Sequence, residues 1–95
     1  MDVRRQVLNE AARLITQDRE GTHGPYTDEA ARIGRLWGAI LRRDDIPPRT
    51  VAAMMIALKL CRATAGSVNV DDWIDTAGYA ALAAQIDADM DGVWA

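Results

Sequence analysis

Apolar residues recur at helical spacing along almost the whole chain, and nowhere do they alternate with polar ones over the length of a strand. Val3, Val7, Leu8, Ala11, Leu14 and Ile15 fall on one stripe, with Arg4, Arg5, Glu10, Arg13 and Asp18 largely elsewhere, which predicts an amphipathic helix over residues 3–19. From Arg19 to Tyr26 two glycines and a proline interrupt any periodicity and predict a loop. Thr27 suits an N-cap, and Asp28 and Glu29 suit a first turn where the helix dipole favours negative charge. Ala30, Ile33, Leu36, Trp37, Ile40 and Leu41 then predict the buried stripe of a second helix over 27–42, with Arg32, Arg35, Arg42 and Arg43 facing solvent. After the connector around Asp44, Asp45 and Pro47, Pro48 fits the first position of a third helix over 48–64, where its missing N–H needs no partner. Gly66 and Ser67 end that helix, and Asn69 suits the cap of a fourth over 70–89, carrying Trp73, Ile74, Ala77, Ala80, Ala81, Ala84 and Ile86. Residues 90–95 remain as a tail.

The third helix organises the rest. Between Val51 and Cys61 its only charged residue is Lys59, and a helix apolar all round has to be covered by its own chain or by a partner subunit. Short connections between helices predict antiparallel neighbours, so the expected fold is an all-α, four-helix bundle-like single domain with helix 3 central. Three thin helices leave that helix short of cover, which predicts a homo-oligomer.

Composition narrows the function classes. Ninety-five residues make one domain, with abundant Ala, no Phe, and Trp and Met supplying bulk; the Met54–Met55 pair reads as core. A net charge of −3 argues against duplex DNA as a partner, because a DNA binder needs a basic surface to release counterions. The single cysteine, Cys61, has no intramolecular partner and sits in an apolar run, so a structural thiol in a reduced, cytoplasmic protein is expected. No stretch has the apolar length of a membrane span or a secretory signal.

The chemistry-bearing residues gather in two places. Lys59 and Arg62 are three apart on one face of helix 3, and Asp72, Asp75 and Tyr79 share a face of helix 4. Guanidinium and ammonium groups suit phosphate oxygens, while the aspartates suit a divalent cation or a ligand's hydroxyls and amines. Against this stands a structural reading, in which Asp71 and Asp72 complement the helix N-terminus and Asp75 pairs with Arg62. Gly78 in mid-helix costs roughly 1 kcal/mol relative to Ala and signals a close approach by another group. The second cluster joins Asp18, Arg19 and Glu20 to His23, Gly24 and Tyr26; His23 has no neighbour at metal-ligand spacing.

The run from Asp18-Arg19 through the Gly24 turn, Ile33-x-x-Leu36-Trp37, Met54-Met55, Lys59-Leu60-x-Arg62 and Asp72-Trp73-Ile74-Asp75-x-Ala77-Gly78-Tyr79 resembles a small all-helical family found mainly in phages and prophages, over residues 7–86. It is more distantly similar to the MazG-like all-α nucleoside triphosphate pyrophosphatases and to phage nucleotide-modification-associated helical domains. Two features depart from these patterns. Thr22-His23-Gly24-Pro25 stands where the phage family has Asp-Tyr-Gly-Asp, and helix 2 lacks the Glu-x-x-Glu pair with which MazG-like enzymes hold Mg²⁺.

The resemblance implies a nucleotide and a phage setting, in the cytoplasm of an infected or lysogenic bacterial host. The preferred reading is a protein that captures a nucleotide, cyclic nucleotide or nucleotide-derived signal without turnover and without a cofactor, as in counter-defence. Lys59 and Arg62 then grip phosphate, Arg19 assists, His23 or Tyr79 meets the base, and Asp72 and Asp75 orient these groups or bind ribose hydroxyls. Two alternatives use the same residues differently. One is a Mg²⁺-dependent pyrophosphatase with Asp72 and Asp75 as metal ligands, completed by Glu29 or Asp18. The other is a non-catalytic interaction module in which the charges form an internal network.

Overall fold

The computed structural model describes residues 2–18 and 24–92, and those residues form helices joined by short connections, with no strand among them. Helix α1 spans Val3–Arg13 and continues as a π-helical turn, Leu14–Asp18; α2 spans Tyr26–Leu41, α3 Pro48–Ala63 and α4 Val70–Asp91. No described helix is long and apolar enough to cross a membrane.

The helix starts follow from local chemistry. The Asp2 carboxylate accepts from the Arg4 and Arg5 backbone N–H groups at the head of α1. Pro48 opens α3, and the Asn69 side chain accepts from the Asp71 N–H at 3.0 Å to cap α4. Helix α2 begins one residue earlier than the sequence predicts. Tyr26, expected in the loop, is buried as its first residue, and Thr27, expected to cap it, instead donates its hydroxyl to Asp89 at 2.5 Å.

The most extensive pairing in the fold joins α3 and α4, and α2 packs against α3 as well; this is the central place that the apolar sequence of α3 predicts. Helix α4 also packs against α1 and α2. The ion pairs Arg49–Asp87 (2.7 Å) at one end and Lys59–Asp75 (2.9 Å) and Arg62–Asp72 (3.5 Å) at the other fix the antiparallel register of α3 against α4. Tyr26 and Ala30 of α2, Ile46 of the connector, Val51 and Ala52 of α3, and Leu82 and Ile86 of α4 form the core.

The buried side of α2 matches expectation in part: Ala30 is buried and Ile33 and Trp37 pack against the core, but the face is rotated. Its interior line is Tyr26, Ala30, Gly34 and Gly38, spaced four apart, whereas Leu36 and Ile40 of the predicted stripe are 65% and 76% exposed and Leu41 is exposed as well. Close approach explains the rotation. The 44–46 connector runs against the glycines, with Ile46 N–H donating to the Gly34 carbonyl at 3.0 Å, and side chains at 34 and 38 would block it. On α3 the chain covers Val51 and Ala52, while Met54, read as core, is exposed with Leu58 and Cys61.

Two carboxylates, Asp89 near the end of α4 and Glu10 on α1, link the fold to pH. The Thr27 hydroxyl and then the Gln85 amide, both donating to its carboxylate, hold Asp89 below the usual carboxylate range, and Arg13 does the same for Glu10. A carboxylate with a depressed folded-state pKa contributes stability that is fully present above its unfolded value and lost as pH falls through its folded value. Acid titration of the melting temperature is therefore expected to fall less steeply in Asp89→Asn than in the wild type; parallel curves would remove Asp89 from the acid response.

Candidate functional site

Gly78 is the point where α1 meets α4. A Cβ there would lie 3.2 Å from Ile15 Cγ2, so the missing side chain lets the π turn seat directly on α4. The wider turn brings Leu14 and Ile15 to the same side. Together with Ala11, these residues and Ile74, Gly78 and Leu82 of α4 surround a half-open cavity of about 120 Å³. Asp75 and Tyr79 complete its wall and supply its polar groups. Tyr79 is half-buried, with its ring 6.0 Å from that of Tyr26 at 60°, so the core fixes its position.

Asp75 is the hinge between this cavity and the ion pairs. It lines the cavity and accepts the Lys59 ammonium at 2.9 Å, and the Lys59 side chain is only 15% exposed. Asp72, one turn earlier, is 5% exposed and faces Arg62 Nε at 3.5 Å. The expected Asp75–Arg62 pair is thus replaced by two parallel pairs, Lys59–Asp75 and Arg62–Asp72. Antiparallel packing explains the exchange, because the base nearer the α3–α4 turn meets the acid nearer that turn. Arg62 differs from Lys59 in its freedom: its side chain is 59% exposed and its single contact to Asp72 is long, which leaves most of its donors facing outward.

Five of the sequence-predicted site residues, Lys59, Arg62, Asp72, Asp75 and Tyr79, therefore lie along one stretch of the α3–α4 hairpin. Arg19 and His23 lie outside the described residues. The apolar walls Leu14, Ile15, Ile74 and Leu82 carry no site signal in the sequence, which shows their helical spacing but not the gap between the helices. For Mg²⁺ the described donors do not fit: Asp72 and Asp75 face different bases, and no described group of three or more Asp, Glu, His or Cys is arranged to hold a metal ion.

These features define a small all-α domain in which an ion-paired helical hairpin borders an apolar cavity. The chain belongs to the family described as a domain of unknown function, DUF6378, whose model matches residues 6–87. It is similar to the Gene 55 protein of Mycobacterium phage L5, with 36% identity over 76 residues that make up 80% of this chain and 49% of that protein. The chain thus spans about half the length of this phage relative. No solved structure matches.

Proposed function

We propose that this domain captures a nucleotide or nucleotide-derived signal and holds it without hydrolysis. The observation that carries the reading is that Asp75 both lines the cavity and accepts from Lys59, with the Arg62–Asp72 pair one turn further along the same two helices. A flat, weakly polar ring fits the cavity, where Asp75 accepts from an amine and Tyr79 forms a wall. The exposed guanidinium of Arg62 offers its spare donors to phosphate as a planar fork. Lys59 takes a role different from the one its sequence position suggests: it holds Asp75 in place instead of gripping phosphate. Phage similarity supports the setting. Hydrolysis is disfavoured because each carboxylate of the pair is engaged by a base, whereas metal-assisted attack on a triphosphate needs carboxylates free to fix the ion and orient water.

Calorimetric titration of the wild type and three variants tests this. Arg62→Ala is expected to weaken binding at least tenfold, about 1.4 kcal/mol, and Asp75→Asn to alter selectivity for the ring. Gly78→Ala narrows the cavity at Ile15 while regaining roughly 1 kcal/mol of helix propensity, so it should stay folded and bind less well. Normal binding in folded Arg62→Ala and Gly78→Ala proteins would remove both halves of the site.

A further inference from the structure

We infer that the ring entering the cavity beside Asp75 is six-membered and carries an NH₂ group at its inner edge, directly or as a carboxamide, and that Asp75 selects for that group. This rests on the proposed capture of a nucleotide and names the class of base. An aminopyrimidine, the six-membered ring of adenine and a pyridine carboxamide all present the same donor.

Size sets the first limit. The cavity of about 120 Å³ is smaller than the ~150 Å³ void that encloses benzene. One six-membered ring fills it, and a fused second ring or a ribose stays at the open mouth. Polarity sets the second limit. Apart from Asp75 and Tyr79 the lining side chains are apolar, so these two alone can read the edge of a ring. The Tyr79 hydroxyl both donates and accepts and does not discriminate, whereas a carboxylate only accepts. Lys59 Nζ lies 2.9 Å from Asp75 Oδ2, and one ammonium leaves a carboxylate with about four lone-pair sites acceptor capacity to spare. An NH₂ group donates to it. An oxo group in the same place turns a carbonyl oxygen toward the carboxylate, and the single N–H of uracil at that edge is flanked by two such oxygens, so repulsion offsets the hydrogen bond. The Lys59 ammonium does not line the cavity and so does not rescue the oxo ring. The Asp75 side chain is 36% exposed, so water competes at this edge. The expected preference is therefore about tenfold, short of the roughly 10⁴-fold reached where a polar site is fully enclosed.

Calorimetric titration of the whole chain with three pairs of mononucleotides tests the inference. The pairs are cytidine and uridine monophosphate, adenosine and inosine monophosphate, and nicotinamide and nicotinic acid mononucleotide; in each, an NH₂ group is exchanged for an oxo or acid group. The tightest ligand is expected to be the NH₂-bearing member of its pair, with its counterpart about tenfold weaker, and the pair that shows this identifies the ring. Asp75→Asn, whose amide donates as well as accepts, should bring that ratio toward one. Arg62→Ala should weaken both members alike and leave the ratio unchanged. A merely structural Asp75 would lower both affinities without moving the ratio, so a preference that survives in folded Asp75→Asn overturns the assignment. Equal binding within every pair, or tighter binding of an oxo or acid member, overturns the inference while capture stands. Binding of none of the six overturns both. If Asp75→Asn unfolds, the wild-type ratios decide.

Discussion

Gly34→Ala is expected to destabilise the protein by about 3 kcal/mol or more, although alanine in a helix interior is ordinarily favoured over glycine by roughly 1 kcal/mol. A Cβ at position 34 collides with the backbone carbonyl oxygen of Ile46. That carbonyl cannot withdraw cheaply. Ile46 is itself buried in the core, and its N–H is tied to the Gly34 carbonyl, so the connector and helix are held by the same contact. Gly38→Ala meets a similar obstacle, with the Asp44 carbonyl oxygen 2.7 Å from the new Cβ. Urea denaturation followed by circular dichroism measures both. A Gly34→Ala protein as stable as the wild type would mean that the connector does not pack on α2 as described.

Ile86→Ala is expected to cost about 3 kcal/mol, the usual range for emptying a fully buried aliphatic site. Ile86 is 1% exposed and belongs to the cluster formed by Tyr26 and Ala30 of α2 with Val51 and Ala52 of α3. Three helices meet there, so the cavity left behind has rigid walls and little chance to collapse. The fitting contrast is Ile40→Ala. Ile40 is 76% exposed, and its truncation should change stability by no more than about 0.5 kcal/mol. Equal losses at the two positions would contradict the orientation of α2.

That pair of isoleucines also marks what the sequence makes legible. Periodicity locates all four helices, and Asn69 and Pro48 mark two of their starts, because those signals are local. Rotation about the helix axis is not local. In α2 the line Tyr26, Ala30, Gly34 and Gly38 lies innermost because the connector needs close approach, which leaves Ile33 and Trp37 of the apolar stripe packed at the edge of the core and Leu36, Ile40 and Leu41 exposed. Gly78 is the instructive exception, since a lone glycine in a helix signalled contact and Ile15 lies against it. The acidic and basic members of the site were legible from spacing, but their partners were not. Pairing depends on the antiparallel register, which the ion pairs themselves help to set. The cavity beside Asp75 depends on the π turn, for which the sequence carries no separate signal.

A thermal-shift panel tests most directly whether the cavity and Arg62 together receive a nucleotide-type ligand. The whole chain is screened against nucleoside triphosphates, cyclic di- and trinucleotides and nicotinamide-derived nucleotides, each with and without Mg²⁺. A ligand that binds only the folded state stabilises it by RT ln(1 + [L]/Kd), so a site with Kd near ~1 μM gives about 4 kcal/mol at millimolar ligand. The expected result is a large shift with one class, independent of Mg²⁺ and with the ligand recovered intact. A Mg²⁺-dependent shift with consumption of the ligand would contradict capture, and no shift across the panel would contradict the nucleotide site itself.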